Sequence, residues 1–352
     1  MRIAFFGSSI LSAYWNGAAT YYRGLVRALH ERGHRITFFE PDAYGRQQHR
    51  DLEDPPWADV VVYPADEWER ALERARGLDV VVKASGVGVN DPELEAGVLE
   101  LGAPATIFWD VDAPATLARV EADPEDPFCE LIPRYDAVFT YGGGDPVRDR
   151  YRALGARDCV PIYNALDPST HHPAPPDPRW DCDLAFVGNR LPDREARVDE
   201  FFLRAAALAP ERSFALGGSG WDDKPLPPNV RLHGHVYTHE HNAANATPLA
   251  VLNVTRDSMA ANGWSPPTRV FEAAGAGACL ITDAWQGIEL FLEPGQEVLV
   301  AHDGAEVSEL LGPLDRRRAR RIGEAARRRV LAEHTYDRRA AQVEELLAGA
   351  RV

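Results

Sequence analysis

Lysine is almost missing from this chain. Of 38 basic residues only Lys83 and Lys224 are lysines, so nearly every positive charge is an arginine. Positive charge as a whole is also short. The 54 acidic residues leave a formal net charge of −16, which argues against nucleic acid as the main partner, because a polyanion is held chiefly by cationic side chains. A local arginine cluster can still hold a small phosphorylated ligand against that global sign, since the planar guanidinium donates bidentately to phosphate oxygens. Cysteine is scarce and scattered. Cys129, Cys159, Cys182 and Cys279 form no C-x-x-C pair, so the usual thiolate zinc motifs and a disulfide framework are disfavoured and a reduced cytoplasm is the expected setting. No apolar run approaches the roughly 20 residues of a membrane span. The sequence leads with a strand-like run, Arg2–Phe6, rather than a charged and then apolar leader. A cytoplasmic protein without a signal peptide is therefore expected, and the sequons at Asn245 and Asn253 carry little meaning.

What the chain does have is alternation. Its 352 residues, 45% of them hydrophobic, suit two α/β domains better than one. Ile3–Phe6, Ile36–Phe39, Asp59–Tyr63, Val80–Lys83, Ala105–Trp109 and Ala137–Tyr141 read as strands, with Cys159–Tyr163 as a further candidate. Helix-like stretches such as Thr20–Arg32, Glu67–Arg76 and Pro92–Leu101 separate them, which is the pattern of a parallel sheet with helices on both faces. Pro161–Trp180 breaks the period with many prolines and reads as a stiff connector. A second alternating series follows: Leu184–Val187, Ser213–Leu216, Val230–His233, Leu249–Val254, Ala278–Thr282 and Glu297–Val300. The expected organisation is a Rossmann-like domain over residues 1–165, a linker over 166–180, a second Rossmann-like domain over 181–334 and a last helix over 335–352. Arg316–Arg329 is a strongly basic helix whose plain reading is a solvated face.

In doubly wound sheets, ligands sit beyond the carboxyl ends of the strands. Leu184–Val187 is followed by Gly188, Asn189, Arg190 and then Arg194 at a helix start. Val251–Val254 is followed by Thr255 and Arg256. The stretch WSPPTRVFEAAGAGACLITD runs from Trp264 through a helix start at Pro266–Pro267 and a helix stop near Gly277 into a buried strand. Arg269 and Glu272 stand three apart and share a helical face, so they could hold a phosphate and a sugar hydroxyl; a surface salt bridge is the plain alternative. Arg190, Arg194, Arg256 and Arg269 are thus candidates to converge on a diphosphate.

These blocks, FVGNR, LNVTR and RVFEAAGAGACLITD, resemble in order the donor-domain blocks of GT-B glycosyltransferases, specifically the CgeB/YkvP-like, glycosyltransferase family 1/4-like group. The resemblance implies a GT-B fold: two doubly wound Rossmann-like domains facing each other across a cleft, with the last helix packing back on the first domain. It implies transfer of a sugar, expectedly a hexose, from a nucleotide-diphosphate sugar to an acceptor of unidentified kind (glycan, protein or secondary metabolite). It implies closure at the linker to exclude water, and neither metal nor cofactor. The donor set it suggests is Gly188, Asn189, Arg190, Arg194, Arg256, Ser265, Arg269, Glu272 and Glu289, with Glu272 on the ribose hydroxyls. It places the loop of His235, Val236 and Tyr237 at the nucleotide base, which is the preferred reading over a metal site for His233, His235, His239 and His241. One departure matters. Many retaining members carry a second glutamate eight residues before Glu272, and here that position is Trp264, so a retaining mechanism does not carry over.

On the first domain, Gly7-Ser8-Ser9 after the first strand lacks the glycines of G-x-G-x-x-G, so a dehydrogenase gains only weak support from Glu40 and Asp42 after the second. Acceptor-side candidates are Gly7, Ser8, Ser9, Asn16, Gly17, Gly143 and Gly144. The run WDVDAPATL resembles the D-x-D-x-P-x-T-L run of CgeB-like proteins. Asp110 and Asp112 are candidate catalytic carboxylates, set against N-capping by Asp112 and a structural role; for the later glycine turn before Asp145, which could hold an anion or a sugar hydroxyl, the plain alternative is a tight turn with Asp145 as N-cap. A nucleotide-sugar epimerase of GT-B fold and a non-catalytic sugar-nucleotide-binding protein are the alternatives.

Overall fold

The computed structural model describes residues 1–14 and 16–349; positions 350–352 of the expected last helix lie outside the described residues. The chain forms two compact units. One takes Met1–Tyr163 together with the stretch from Tyr336 onward, the other Asn164–Thr335.

In the first unit, β1 (Arg2–Phe6), β2 (Arg35–Asp42), β3 (Asp59–Pro64), β4 (Val80–Ala84), β5 (Ala105–Asp110), β6 (Ala137–Thr140) and β7 (Cys159–Pro161) form one sheet in the order β3-β2-β1-β4-β5-β6-β7. Every ladder in it is parallel. Helices α1 (Ala19–Glu31), α2 (Trp68–Ala75), α3 (Asp91–Gly97), α4 (Ala113–Ala122), α5 (Pro127–Leu131) and α6 (Gly144–Ala153) lie between the strands. Both faces are covered, which is why β1, β4 and β5 are continuous apolar runs rather than alternating ones. Phe5 stacks on Phe38 at 5.2 Å and meets Tyr22 of α1 on one face. Phe6, Phe39, Phe108, Phe128 and Tyr135 belong to the core on the other.

The second unit repeats the plan. Strands β8 (Leu184–Val187), β9 (Phe214–Gly217), β10 (Val230–Gly234), β11 (Ala250–Asn253), β12 (Leu280–Asp283) and β13 (Leu299–Ala301) pair in the order β10-β9-β8-β11-β12-β13, all parallel. Its helices are α7 (Pro192–Val198), which runs through a π turn at Asp199–Leu203 into α8 (Arg204–Leu208), then α9 (His241–Ala246), α10 (Asp257–Asn262), α11 (Thr268–Gly275), α12 (Gly304–Leu311) and α13 (Arg316–Glu333). β13 starts later than the sequence pattern suggests, because Glu297 is spent in a turn whose N–H donates to Glu293 O. The proline-rich stretch is not a free connector over its whole length. From Asn164 it packs within the second unit: Leu166 is buried and bridges to Thr335, Thr170 O accepts from Asn242 Nδ2 at 2.9 Å, and Trp180 is buried.

The last helix, α14 (Tyr336–Gly349), packs on α1 inside the first unit. Arg32 and His34 pair with Glu344 at 2.6 and 2.8 Å across this contact. The approach depends on Gly24, where a Cβ would enter the ring of Tyr336. Gly24→Ala gains helix propensity of about 1 kcal/mol but overpacks a closed contact, which costs about 1–3 kcal/mol. The expected result is a net loss of stability and a lower urea midpoint, read by far-UV circular dichroism.

Candidate functional site

The winding of the second sheet reverses between β8 and β11, so the loops leaving these two strands flank its switch point. The β8 loop is tied down by backbone: Gly188 N–H donates to Gly217 O at 2.8 Å, and Gly188 O accepts from the Trp221 indole at 2.8 Å. Asn189 is exposed and its Oδ1 accepts from Ser219 N, so its side chain holds the loop. Arg190 does not join an arginine cluster. It is neutralised by Glu195 and Asp223, each at 2.7 Å, and a guanidinium with two carboxylates has little left for a phosphate.

Arg194 and Arg269 behave differently. Both are half-buried, and neither side chain makes a hydrogen bond or ion pair among the described residues. Arg194 sits in the first turn of α7 with its guanidinium against Gly188; a Cβ there would stand 3.1 Å from Arg194 Nη1. Burial drives the Arg194 pKa down to about 10, and the nearby charges of Arg269 and Arg256 add to the depression against a weaker pull from Asp193. Arg269, at the start of α11, is also lowered by burial, opposed by Glu272 one turn on. Arg256 is exposed and pairs with Asp193 at 2.5 Å, so it borders the cluster rather than standing free in it. Two guanidinium groups that repel each other and hold no ion pair among the described residues are suited to an anion.

A buried knot beneath them fixes the loops. Asp283 closes β12 with no exposure and accepts from Thr255 N, Thr255 Oγ1, Asn253 Nδ2 and Thr282 Oγ1 at 2.9–3.4 Å. Its second oxygen takes Arg197 Nη2 of α7 at 2.6 Å. Burial raises the Asp283 pKa and the arginine opposes that rise. One carboxylate thus locks β11, β12 and α7 together, which sets where Arg194 and Arg256 emerge. Arg197 and Asp283 were not singled out in the sequence; an arginine one turn into α7 and a polar TD pair closing an apolar strand were the available signals.

Glu272 projects from α11, mostly buried, 3.9 Å from His171 Nε2. Ser265 is buried and donates to Gly263 O at 2.9 Å, so it shapes the turn into α11. Trp264 has φ +42, an uncommon conformation for a non-glycine residue, and is pinned by its N–H to Gln286 O at 2.6 Å. Glu289 is exposed in the short turn after Gly287. In the loop after β10, Val236 is buried while His235 and Tyr237 are exposed and meet edge-to-face at 4.6 Å. His233 stacks on Trp180 at 4.4 Å. Among the described residues no three His, Cys, Asp or Glu side chains are grouped to hold a metal ion.

In the first unit, Gly7 N–H donates to Phe39 O. Ser8 Oγ donates to Asn16 Oδ1, and Asn16 Nδ2 donates back to Ser9 O and Ser12 O, so these buried groups staple the loop after β1. Gly17 is exposed. Glu40 lies within β2 rather than after it. It is buried and accepts from Ser9 Oγ, Ile10 N and Gln47 Nε2, which gives it a loop-holding role in place of a ribose contact. Asp110 closes β5. It has no exposure, and its oxygens accept from Ser85 Oγ, Thr116 Oγ1, Asp112 N and Tyr151 Oη. Burial raises its pKa, and the hydrogen bonds it accepts oppose that rise. Asp112 is exposed at the N-cap position of α4, and its carboxylate makes no capping hydrogen bond. Gly143, at φ 92, is the N-cap of α6 and Gly144 its first residue, so Asp145 is not the cap; it pairs with Arg148 at 2.8 Å.

This architecture is the GT-B fold. Sucrose-phosphate synthase from Thermosynechococcus elongatus aligns with a TM-score of 0.72 at 14% identity, covering 99% of this chain and 98% of that one. The Anabaena HepE protein in complex with UDP-glucose aligns at 0.67 and 13% identity, over 99% of this chain and 100% of its own. An alpha-glucosyltransferase in complex with UDP-glucose and DNA containing an abasic site aligns at 0.69 and 13%, over 99% of each chain. Residues 194–345 match a protein family described as glycosyl transferase-like, a stretch that begins at Arg194 and includes Arg269 and Glu272. No curated protein matches the chain.

Because Arg194 and Arg269 repel each other, removing one charge should relieve the ligand-free protein. Arg194→Gln is expected to raise ligand-free stability by up to about 1 kcal/mol, as relief of a destabilised site commonly does. The same variant should lose most of the melting-temperature rise that pyrophosphate gives the wild type at low ionic strength, measured by differential scanning fluorimetry.

Proposed function

We propose that this chain is a glycosyltransferase of the CgeB/YkvP-like group, binding a nucleotide-diphosphate sugar on its second unit. The observation that carries this reading is the pair Arg194 and Arg269 at the carboxyl edge of a doubly wound sheet, two half-buried guanidinium groups whose side chains make no hydrogen bond or ion pair among the described residues. A diphosphate supplies the missing charge and takes bidentate hydrogen bonds from both. Glu272, one turn beyond Arg269, then faces the nucleoside, where a carboxylate accepts from ribose hydroxyls. The loop of His235, Val236 and Tyr237 reads as the base contact. The glycosyl transferase-like match over residues 194–345 and the UDP-glucose complexes named for two proteins of like fold support the donor class.

In this reading the chemistry needs no metal. The arginines stabilise negative charge as it develops on the departing diphosphate, which is worth most in a site already shaped for it. A hexose is the sugar we favour. The acceptor enters through the first unit, and Asp112, whose carboxylate is uncommitted, takes its proton. Trp264 stands where a second glutamate would hold the sugar in retaining relatives, so an indole replaces a carboxylate there. The reading places the protein in a bacterial cytoplasm; no helix among the described residues is long and apolar enough to cross a membrane.

The test is a thermal-shift panel of UDP-glucose, ADP-glucose and GDP-mannose, followed by titration calorimetry with whichever binds. Arg269→Ala should weaken that binding by on the order of 100-fold, the value of two charged hydrogen bonds at about 1.5 kcal/mol each. Unchanged affinity would sink the donor assignment. Asp112→Asn should lower kcat by at least about 100-fold with the donor KM unchanged, once an acceptor supports turnover.

A further inference from the structure

The environment of Glu272 contains two groups that the diphosphate reading does not use. His171 comes from the segment before β8 and is buried. His241 opens α9 and is half-buried. Their rings lie 6.4 Å apart, and His171 Nε2 stands 3.9 Å from Glu272 Oε1. The approach of His171 is built in. Gly275, one turn beyond Glu272 on α11, has no side chain, and a Cβ there would stand 2.9 Å from His171 O and would enter Leu166. That contact lays the backbone of residues 166–171 directly on α11. Thr170 Oγ1, 3.0 Å from His171 Nδ1, holds the ring from behind, so Nε2 is the nitrogen that faces the carboxylate. Among the described residues the Glu272 carboxylate makes no hydrogen bond, and this imidazole is its one ion-pair neighbour. Its oxygens are therefore available but bordered on one side by two titratable rings.

We propose that His171 and His241 border the donor-binding carboxylate as a pH-sensitive cluster: at neutral pH they leave the oxygens of Glu272 to the ribose hydroxyls, and at acid pH an imidazolium captures it in an ion pair. This rests on the proposed role of Glu272 at the donor. The charged groups facing this carboxylate are few. On α11 there is Arg269, on the 164–180 segment His171, on α9 His241. From α13 Arg327 reaches the far end of α11 and is occupied by Gly275 O at 3.3 Å. Burial lowers the His241 pKa, Arg269 and His171 lower it further, and Glu272 with the backbone of Val236 opposes them. His241 is thus neutral at pH 7.5 and gains its proton at a lower pH than an ordinary histidine. The sign follows. Donor affinity is full at neutral pH and is lost as the pH falls and imidazolium competes for Glu272.

The measurement is the dissociation constant of a nucleotide sugar between pH 7.5 and 5.5, with UDP-glucose, ADP-glucose and GDP-mannose as probes. Their diphosphates are diesters, so the ligand does not titrate in this window. The wild type should bind on the order of five- to tenfold more weakly at pH 5.5, an ion-pair effect of about 1 kcal/mol. His171→Asn and His241→Asn, singly and together, should flatten the profile while leaving affinity at pH 7.5 within about threefold. A merely structural role would lower affinity equally at every pH and keep the slope, which overturns the proposal, as would tighter binding by the wild type at pH 5.5. Glu272→Gln separates the two claims: it should weaken binding at pH 7.5 and remove the slope. If the wild type binds none of the probes at either pH, the donor reading itself fails and takes this inference with it.

Discussion

Two guanidinium groups side by side with no carboxylate between them are an unfavourable thing to fold, and the second unit is organised around keeping them there. A free chain would turn Arg194 and Arg269 toward water or toward one of its many acidic side chains. Glu272, one turn beyond Arg269, makes no ion pair with it among the described residues, and the other acidic residues nearby are engaged. Glu195 and Asp223 hold Arg190, Asp193 holds Arg256, and Asp283 holds Arg197. Each neighbouring arginine has its own acid, and the unmatched pair is the remainder. With 54 acidic residues available, a shortage of carboxylates does not explain that remainder; the local pairing does.

Both units use the same device to aim their loops. A carboxylate at or near the carboxyl end of a strand is buried completely and collects donors from the segments around it: Glu40 of β2, Asp110 of β5 and Asp283 of β12. A buried carboxylate costs a great deal unless its oxygens are filled, so each such residue forces several loop groups into one arrangement. That is how an edge made of loops becomes rigid enough to present side chains with fixed geometry. It also explains why residues that look catalytic by position, such as Asp110, are better understood as the supports of those that stand free, such as Asp112.

The fold was almost wholly legible in the sequence because parallel strands buried on both faces are short continuous apolar runs, and this chain separates them with helices of regular length. Strand ends were less so. β2 runs on through Glu40 to Asp42, since pairing with β3 outweighs the polar character of those residues. The site was legible where spacing carries the chemistry: Arg269 and Glu272 share a face of α11, and Arg194 opens α7. It was illegible where partner choice decides. Nothing in GNRLPDRE reveals that Arg190 is neutralised by Asp223, distant in sequence, while Arg194 is left bare. His171 was hidden for the same reason. Its place beside Glu272 follows from the absence of a side chain at Gly275, a contact between segments roughly a hundred residues apart.

A net charge of −16 should repel the dianionic ligand that this site is suited to, and the scale of screening resolves the conflict. At physiological ionic strength exposed charges fade over about 8 Å, so most of the acidic surface contributes little at the switch point. Half-buried charges are screened far less, and Arg194 and Arg269 are of that kind. The potential a diphosphate meets is therefore set by these two groups and by Arg256 beside them. The choice of arginine over lysine follows from the same constraint. A lysine driven toward neutrality by burial and by a like-charged neighbour would give up its proton, whereas a guanidinium depressed to about 10 remains charged at neutral pH. A site that stores its binding energy as repulsion between two cations can be built only from a side chain that cannot escape the repulsion by deprotonating.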